Sequence, residues 1–237
     1  GWNITNFSKI QYAINNASSG DTVFVYNGTY QENIVINKSI SLKGENKNKT
    51  ILNGIKLNNT ILIESDFVNV ENFFIKNMSG YYSSNRYVRL AGIYVIQSRD
   101  VSINNNKFTN CSCAIILMNS SYTNIFNNSF VKNNDGIRLS KSDNNTIKNN
   151  KFLNDKIIVV ESSVYNKILN NNFFENSRAA CRTFLWDNSD HNIFSNNYLY
   201  NCFVGISVMS NYNLVTKNTF IKSNFISISV GISACDN

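Results

Sequence analysis

Two carboxylates stand at matching positions in neighbouring repeats of this 237-residue chain. Glu161 and Asp187 each follow a short apolar phrase, and we expect them to lie beside each other in adjacent coils. A pair of carboxylic acids is the minimum equipment for glycoside hydrolysis, because one protonates the leaving group while the other acts as base or nucleophile. Arg182 and His191, the only histidine, lie near Asp187 in sequence and are candidate helpers.

The same residues have a structural interpretation. His191 and Asp190 occupy the turn positions that Asn144 and Asp143 hold in an earlier repeat, so repeat variation explains them without any catalysis. Carboxylates on the turns of a repeat protein need no chemical role. The sequence therefore favours a non-catalytic protein and keeps a glycoside hydrolase-like enzyme as the alternative.

A second group of candidate residues lies where the repeat is interrupted. About eleven extra residues fall within 79–90 and about four near 178–182, and both insertions should project from one edge of the molecule. Aromatic faces stack on sugar rings, and arginine pairs with uronate carboxylates. The candidate substrate-binding residues are Tyr81, Tyr82, Arg86, Tyr87, Arg89, Arg138 and Arg182. Alternatively, the tyrosines fold onto the outer sheet and only cover it.

The elements that must position these residues come from a repeat of the form Asn-Asn-x-Phe. Its last residues are Phe108, Phe130, Phe152, Phe173, Leu199 and Phe220, spaced 22, 22, 21, 26 and 21 residues apart. A period near 22 predicts stacked coils. The apolar phrases between the turns are three to five residues long and rich in β-branched residues, which predicts three short strands per coil.

The asparagines of the repeat have a predicted structural role. Stacked coils place equivalent side chains above one another, and amides can then hydrogen-bond along the stack. We expect this ladder at inward-facing turns, formed by the first asparagine of each phrase. These residues are Asn105, Asn127, Asn149, Asn170 and Asn196.

The segment 135–152, from Asp135-Gly136-Ile137 to Asn149-Asn150-Lys151-Phe152, resembles the NosD-type or CASH repeat of the pectate-lyase-like superfamily, as in archaeal surface adhesin-like proteins. The resemblance covers nearly the whole chain. It implies an all-β, right-handed, single-stranded parallel β-helix of about 22 residues per coil. It also implies a secreted or cell-surface protein that acts in adhesion or glycan binding. Because this fold hosts many activities, it leaves the function open.

The start of the chain predicts one short capping helix. Apolar residues at 10, 13, 14 and 17 follow Ser8, a candidate N-cap, and Gly20-Asp21 ends the pattern. Such a helix covers the open end of a solenoid. We expect a single domain, with the cap at 1–20, coils at 21–230 and a terminal segment at 231–237. The chain opens at Gly1, which suggests a mature or excised fragment.

Composition limits the partners. A net charge of +7 is explained by solvated surface lysines, and affinity for acidic polymers such as glycans is the functional alternative. Nucleic acid is disfavoured, because no basic stripe or recognition motif is present. No apolar run reaches the roughly 20 residues of a membrane span. One histidine and scattered cysteines predict no metal site and no cofactor.

The outward positions of the Gly-Ile strands suggest a third function. We assign to them Tyr94, Ile116, Arg138, Val159, Leu185 and Ser207. Several are apolar, and an apolar stripe needs a cover or a partner. Self-association through this stripe would make the protein a surface-layer or filament subunit.

Two covalent features complete the predictions. Cys181 and Cys202 lie near the same corner of adjacent coils and are a candidate disulfide, whereas burial of the thiols is the alternative. Asn-x-Ser/Thr sequons permit glycosylation in a secreted chain. The candidates are Asn3, Asn27, Asn37, Asn58, Asn110, Asn127 and Asn144.

Overall fold

The structure is a computed structural model of the chain. It describes residues 7–55, 58–78, 90–153, 158–174, 183–186, 188–202, 204–222 and 226–230. Residues 79–89 of the predicted insertion at 79–90 and the segment 175–182 lie outside these ranges.

One short helix precedes strands that come in groups of three, one group per coil. The first elements are α1 (Ile10–Asn16), β1 (Thr22–Val25), β2 (Gly28–Gln31), β3 (Ile34–Ile36), β4 (Ser41–Gly44), β5 (Thr50–Asn53), β6 (Ile61–Ile63), β7 (Asn69–Glu71), β8 (Phe74–Met78) and β9 (Ala91–Ile96). The middle elements are β10 (Ser102–Asn104), β11 (Lys107–Cys111), β12 (Cys113–Met118), β13 (Asn124–Phe126), β14 (Ser129–Val131), β15 (Asp135–Ser140), β16 (Thr146–Lys148), β17 (Lys151–Leu153) and β18 (Ile158–Glu161). The last elements are β19 (Lys167–Leu169), β20 (Asn172–Phe174), β21 (Thr183–Leu185), β22 (Ile193–Ser195), β23 (Tyr198–Tyr200), β24 (Val204–Val208), β25 (Leu214–Thr216), β26 (Thr219–Ile221) and β27 (Ile226–Val230).

Every strand pairs in parallel with the strand three places along the chain. This pairing builds three nine-stranded sheets, which we call sheet A (β1 to β25), sheet B (β2 to β26) and sheet C (β3 to β27). In sheet A, for example, Ile103 of β10 pairs with Ile125 of β13, one coil of 22 residues later. The predicted parallel solenoid of short strands is therefore confirmed.

The core is a set of columns of identical side chains. Along sheet B, Phe108, Phe130, Phe152 and Phe173 stack with ring centroids 5.1, 4.5 and 4.7 Å apart and nearly parallel planes. These rings are buried, as are the isoleucines that face them from sheet A. The repeat spacing brings each ring above its equivalent, so the phenylalanines stabilise the stack by mutual burial.

The asparagine ladder exists, but it uses the other asparagine of each phrase. The backbone N–H of Asn128 donates to Oδ1 of Asn150 at 2.9 Å, and that of Asn150 donates to Oδ1 of Asn171 at 2.9 Å. The ladder residues are Asn106, Asn128, Asn150, Asn171 and Asn197, all buried. Our assignment of the inward position to the first asparagine was wrong by one residue.

The first asparagine instead forms the turn. Asn105, Asn127, Asn149, Asn170 and Asn196 have φ between 52° and 56°. Asparagine tolerates this left-handed conformation better than most residues, because its short amide can hydrogen-bond locally. The two asparagines therefore have separate roles: the first makes the corner and the second ties neighbouring coils together.

Helix α1 lies at the start of the solenoid, and its Ile10 and Ile14 are buried in the core. Its N-cap residue is Lys9, with no side-chain cap from Ser8, which corrects the sequence prediction. Glu32, between β2 and β3, accepts hydrogen bonds from the backbone N–H groups of Ile10 and Gln11 at 3.0 and 3.1 Å. A carboxylate from the first coil thus accepts hydrogen bonds from backbone N–H groups that have no partner within the helix.

Candidate functional site

The candidate site lies on the outer face of sheet C. Alternation along each strand sends two residues per coil outward, so the face carries two columns of side chains. The first column contains Leu62, Tyr94, Ile116, Arg138 and Ser207, which the strand pairing aligns. The second contains Ile96, Met118, Ser140 and Glu161.

An ion pair joins the two columns. Nη2 of Arg138 donates to Oε2 of Glu161 in the next coil at 2.6 Å. The side chain of Arg138 is 17% exposed and that of Glu161 is 38% exposed, so the pair lies at the surface with the guanidinium more covered. The arginine predicted to bind substrate and the carboxylate predicted to be catalytic are therefore bonded to each other.

The strand pairing changes the expected neighbour of Glu161. Val160 pairs with Leu185, and Leu185 pairs with Val208 in the following coil. The residue level with Glu161 in the next coil is consequently Trp186. Leu185, which we placed on the outer stripe, is buried in the core. Phe184 pairs with Val159.

The turn after β21 explains this difference. The backbone N–H of Ser163 faces Oγ of Ser189 at 3.5 Å, so these two serines are equivalent. Two residues separate Val160 from Ser163, but three separate Leu185 from Ser189. The coil therefore has one additional residue at this point. Asp187 and Arg182 lie outside the described residues, so the pairing of Asp187 with Glu161 and the helper role of Arg182 stay predictions.

His191 belongs to a turn. Its φ is 56°, like that of Asn144 at 58°, and its ring stacks between Tyr165 and Tyr212 with centroids 5.0 and 5.1 Å away. Oδ1 of Asp190 accepts from the N–H of Asn211 at 2.7 Å. Oδ1 of Asp143 accepts in the same way from the N–H of Val164 at 2.8 Å. Repeat variation therefore accounts for both His191 and Asp190.

Apolar and aromatic groups surround the ion pair. Ile116 faces outward yet is only 3% exposed, and it forms a small cluster with Ala91, Cys113 and Tyr94. Burial raises the pKa of the Tyr94 phenol above its ordinary value. Trp186 is 37% exposed and Met209 is 41% exposed. The candidate contacts Tyr81, Tyr82, Arg86, Tyr87 and Arg89 lie outside the described residues.

The structure describes some of the residues predicted to form a disulfide or to carry glycans. Cys202 is buried and disulfide-bonded. Its predicted partner Cys181 lies outside the described residues, so that pairing stays a prediction. Of the sequon asparagines, Asn3 is also outside, and the others are exposed: Asn27, Asn37, Asn58, Asn110, Asn127 and Asn144.

Sequence comparison shows the family. The NosD family, described as "Periplasmic copper-binding protein (NosD)", matches residues 14–235, and the chain belongs to this family. No curated protein sequence is significantly similar to the chain. Within the described part of the chain, no helix is long and apolar enough to cross a membrane.

Solved structures show the same right-handed parallel β-helix. The catalytic domain of a GH87 α-1,3-glucanase in complex with nigerose has a TM-score of 0.68 at 19% identity, covering 95% of this chain and 44% of its own length. A pectin methylesterase in complex with a hexasaccharide has a TM-score of 0.65 at 14% identity, with coverages of 96% and 90%. An alginate lyase from Paenibacillus sp. str. FPU-7 has a TM-score of 0.64 at 13% identity, with coverages of 94% and 96%.

The copper in the family description does not fit the side chains described here. Copper sites use imidazole, thiolate and thioether ligands gathered around one point. Across the described ranges, no three His, Cys, Asp or Glu side chains gather to hold a metal ion. The single histidine is stacked between two tyrosines. We therefore derive no chemistry through copper.

Proposed function

We propose that this protein is an exported β-helix that binds glycans through the outer face of sheet C, without cleaving them, in adhesion or surface recognition. The observation that carries this proposal is the environment of Glu161. Its carboxylate is bonded to Arg138 in the preceding coil, and the residue level with it in the following coil is Trp186.

This environment suits binding better than hydrolysis. Glycoside hydrolysis by two carboxylates needs a second acid about 5–10 Å from the first. The described residues level with Glu161 in the adjacent coils are Ser140 and Trp186, and neither is an acid. A fixed ion pair next to an exposed indole is instead typical of a surface that orients sugar hydroxyls and stacks on a pyranose face.

The similar structures support glycans as the ligand class, and the family description supports an exported protein. The similar structures are named as enzymes of α-1,3-glucan, pectin and alginate, and two of them contain bound sugars. The family description places its members in the periplasm. Export is consistent with the disulfide at Cys202, since disulfides persist in oxidising compartments. Both a periplasmic and a cell-surface location agree with the proposal.

A glycan array combined with a reducing-sugar assay tests the proposal. Native protein should bind at least one oligosaccharide class and release no reducing ends from it. Trp186→Ala should weaken binding by roughly 2- to 12-fold, the equivalent of one aromatic contact of about 0.5–1.5 kcal/mol. Tyr26→Ala is the matched control, because Tyr26 is an exposed aromatic of the first coil, remote from Trp186.

The alternatives give different results. Release of reducing ends that disappears in Glu161→Gln would establish the hydrolase and overturn the proposal. A molecular mass that rises with protein concentration in light scattering, with no glycan bound, would favour the structural subunit.

A further inference from the structure

A second surface, on the outer face of sheet B, combines lysines with aromatic rings. We call it the lysine face. It consists of Phe74, Lys76, Lys107, Lys151, Phe174, Tyr198, Tyr200 and Lys222. All but Lys222, which directly follows β26, are outward residues of the sheet B strands. It alternates with the buried column that contains Phe108, Phe130, Phe152 and Phe173.

The rings of this face hold the ammonium groups in place. Nζ of Lys107 lies 4.4 Å from the centroid of Phe74, and Nζ of Lys76 lies 5.5 Å from the same ring. Nζ of Lys151 lies 5.4 Å from Phe174. Such contacts stabilise a cation over a ring by about 0.5–1 kcal/mol at an exposed site.

The last lysine of the face is held in the same way. Nζ of Lys222 lies 5.4 Å from the centroid of Tyr200. A hydrogen bond to Tyr200 also raises the pKa of Lys222. The face therefore presents charges in fixed positions, which lowers the entropy lost when a ligand binds them.

The charge of this face is of one sign. The strands of sheet B contain three lysines and no aspartate or glutamate. The acids near its first strand have other partners: Glu32 accepts from the N–H groups of α1, and Glu45 accepts from the N–H of Asn27 at 2.8 Å. In sequence, Asp155 and Glu175 follow β17 and β20 and lie outside the described residues. None of these lysines is in an ion pair with an acid of the described residues, so the face attracts an anion.

The shape of the face selects among anionic partners. From β8 to β26 the sheet advances by six strand spacings, about 29 Å at roughly 4.8 Å each. Ser129, Asn172 and Thr219 lie outward between the lysines and offer hydroxyl and amide groups. Lys107 and Lys151 lie in one column with Ser129 between them, and Lys76 lies in the neighbouring column. This elongated array of charges and small polar groups matches an extended, hydroxyl-rich chain.

We propose that the lysine face binds an acidic polysaccharide whose carboxylates pair with Lys76, Lys107, Lys151 and Lys222. Nucleic acid fits less well, because single-stranded bases need free aromatic faces for stacking and lysines already cover those of Phe74, Phe174 and Tyr200. A membrane surface also fits less well, because Phe74, Phe174 and Tyr198 are half-buried and do not project from the sheet. This site is independent of the one proposed on sheet C.

Two double variants of equal charge test the site. Lys107→Gln/Lys151→Gln removes two charges from the lysine face. Lys148→Gln/Lys167→Gln removes two from the outer face of sheet A, where Lys148 also lies over a ring, that of Phe126 at 5.8 Å. Binding of both variants and the native protein is measured by affinity electrophoresis in polygalacturonate and in its fully methyl-esterified, uncharged form.

Native protein should bind polygalacturonate, more weakly as salt rises, and should be much less retarded by the esterified polymer. The lysine-face variant should bind polygalacturonate about fivefold to tenfold more weakly, and the sheet A variant less than twofold more weakly. Equal losses in the two variants, no native binding, or stronger binding to single-stranded DNA would overturn the proposal. Trp186→Ala leaves the lysine face unchanged. A failure of the glycan-binding proposal on sheet C would therefore be seen in the glycan array without affecting the binding of polygalacturonate.

Discussion

Replacing Asn150 by alanine should remove a large share of the stability of the solenoid. Asn150 is buried, and its Oδ1 accepts from the backbone N–H of Asn128 at 2.9 Å. Its Nδ2 donates to the carbonyl of Ile125 at 2.9 Å and to Oδ1 of Asn171 at 3.0 Å. The side chain thus connects three consecutive coils.

The magnitude follows from which groups lose their partners. In Asn150→Ala, Oδ1 of Asn171 keeps the backbone N–H of residue 150, and Nδ2 of Asn128 keeps two carbonyls. The N–H of Asn128 and the carbonyl of Ile125 are left buried without these bonds. Each of these two groups costs about 1–3 kcal/mol, so we expect a loss of roughly 2–6 kcal/mol in the free energy of unfolding.

The adjacent residue provides the control. Asn149 is exposed, forms the corner with a φ of 55°, and has no such side-chain bonds between coils in the described structure. Asn149→Ala should cost only about 1 kcal/mol, the strain of alanine in the left-handed region. Urea unfolding followed by circular dichroism and by fluorescence measures both variants. Equal, small losses at the two positions would refute the assignment of the ladder to the second asparagine.

Three further predictions concern the core, the candidate face and the helix. Phe130→Ala should lower the free energy of unfolding by about 3–5 kcal/mol in the same urea experiment, because the ring is buried between two others; a loss below 1 kcal/mol would contradict the stacked core. Tyr94 keeps its proton in the folded state when the unfolded chain loses it, so stability should fall as pH rises above about 10. In Tyr94→Phe the free energy of unfolding should decrease less over this pH range. The same pH dependence in the native protein and the variant would contradict the prediction. Glu32→Gln should cost about 1 kcal/mol and lower Tm by about 2–4 °C in calorimetry, because the helix start loses its carboxylate; an unchanged Tm would exclude this role.

The sequence predicted the parallel solenoid because one residue type recurs at each buried position. Phe108, Phe130 and Phe152 repeat every 22 residues, and only stacked coils place them together. The choice between neighbouring asparagines was harder. Both are polar and both repeat, and the turn conformation that turns one outward and the other inward is not visible in residue type.

The candidate site was less predictable for a similar reason. In Phe184-Leu185-Trp186 every residue is apolar, so alternation does not show which one is buried. Aligning the two sequences at their turns, with Ser163 opposite Ser189, matches Asp187 with Glu161. Aligning them at their strands, with Val160 opposite Leu185, matches Trp186 with Glu161. The two alignments differ because the later coil has one additional residue between strand and turn. The Arg138–Glu161 ion pair could have been predicted from the sequence, because the two residues are 23 positions apart, about one coil.

The central claim, glycan binding without cleavage on sheet C, has one direct test. The chain contains two tryptophans, Trp2 and Trp186, so in a Trp2→Phe background the indole emission comes from Trp186 alone. Titration with an oligosaccharide that the protein binds should change this emission in a saturable way, with the same Kd as an independent binding assay and no new reducing ends. Saturation of binding with unchanged emission, or release of reducing ends during the titration, would contradict the account.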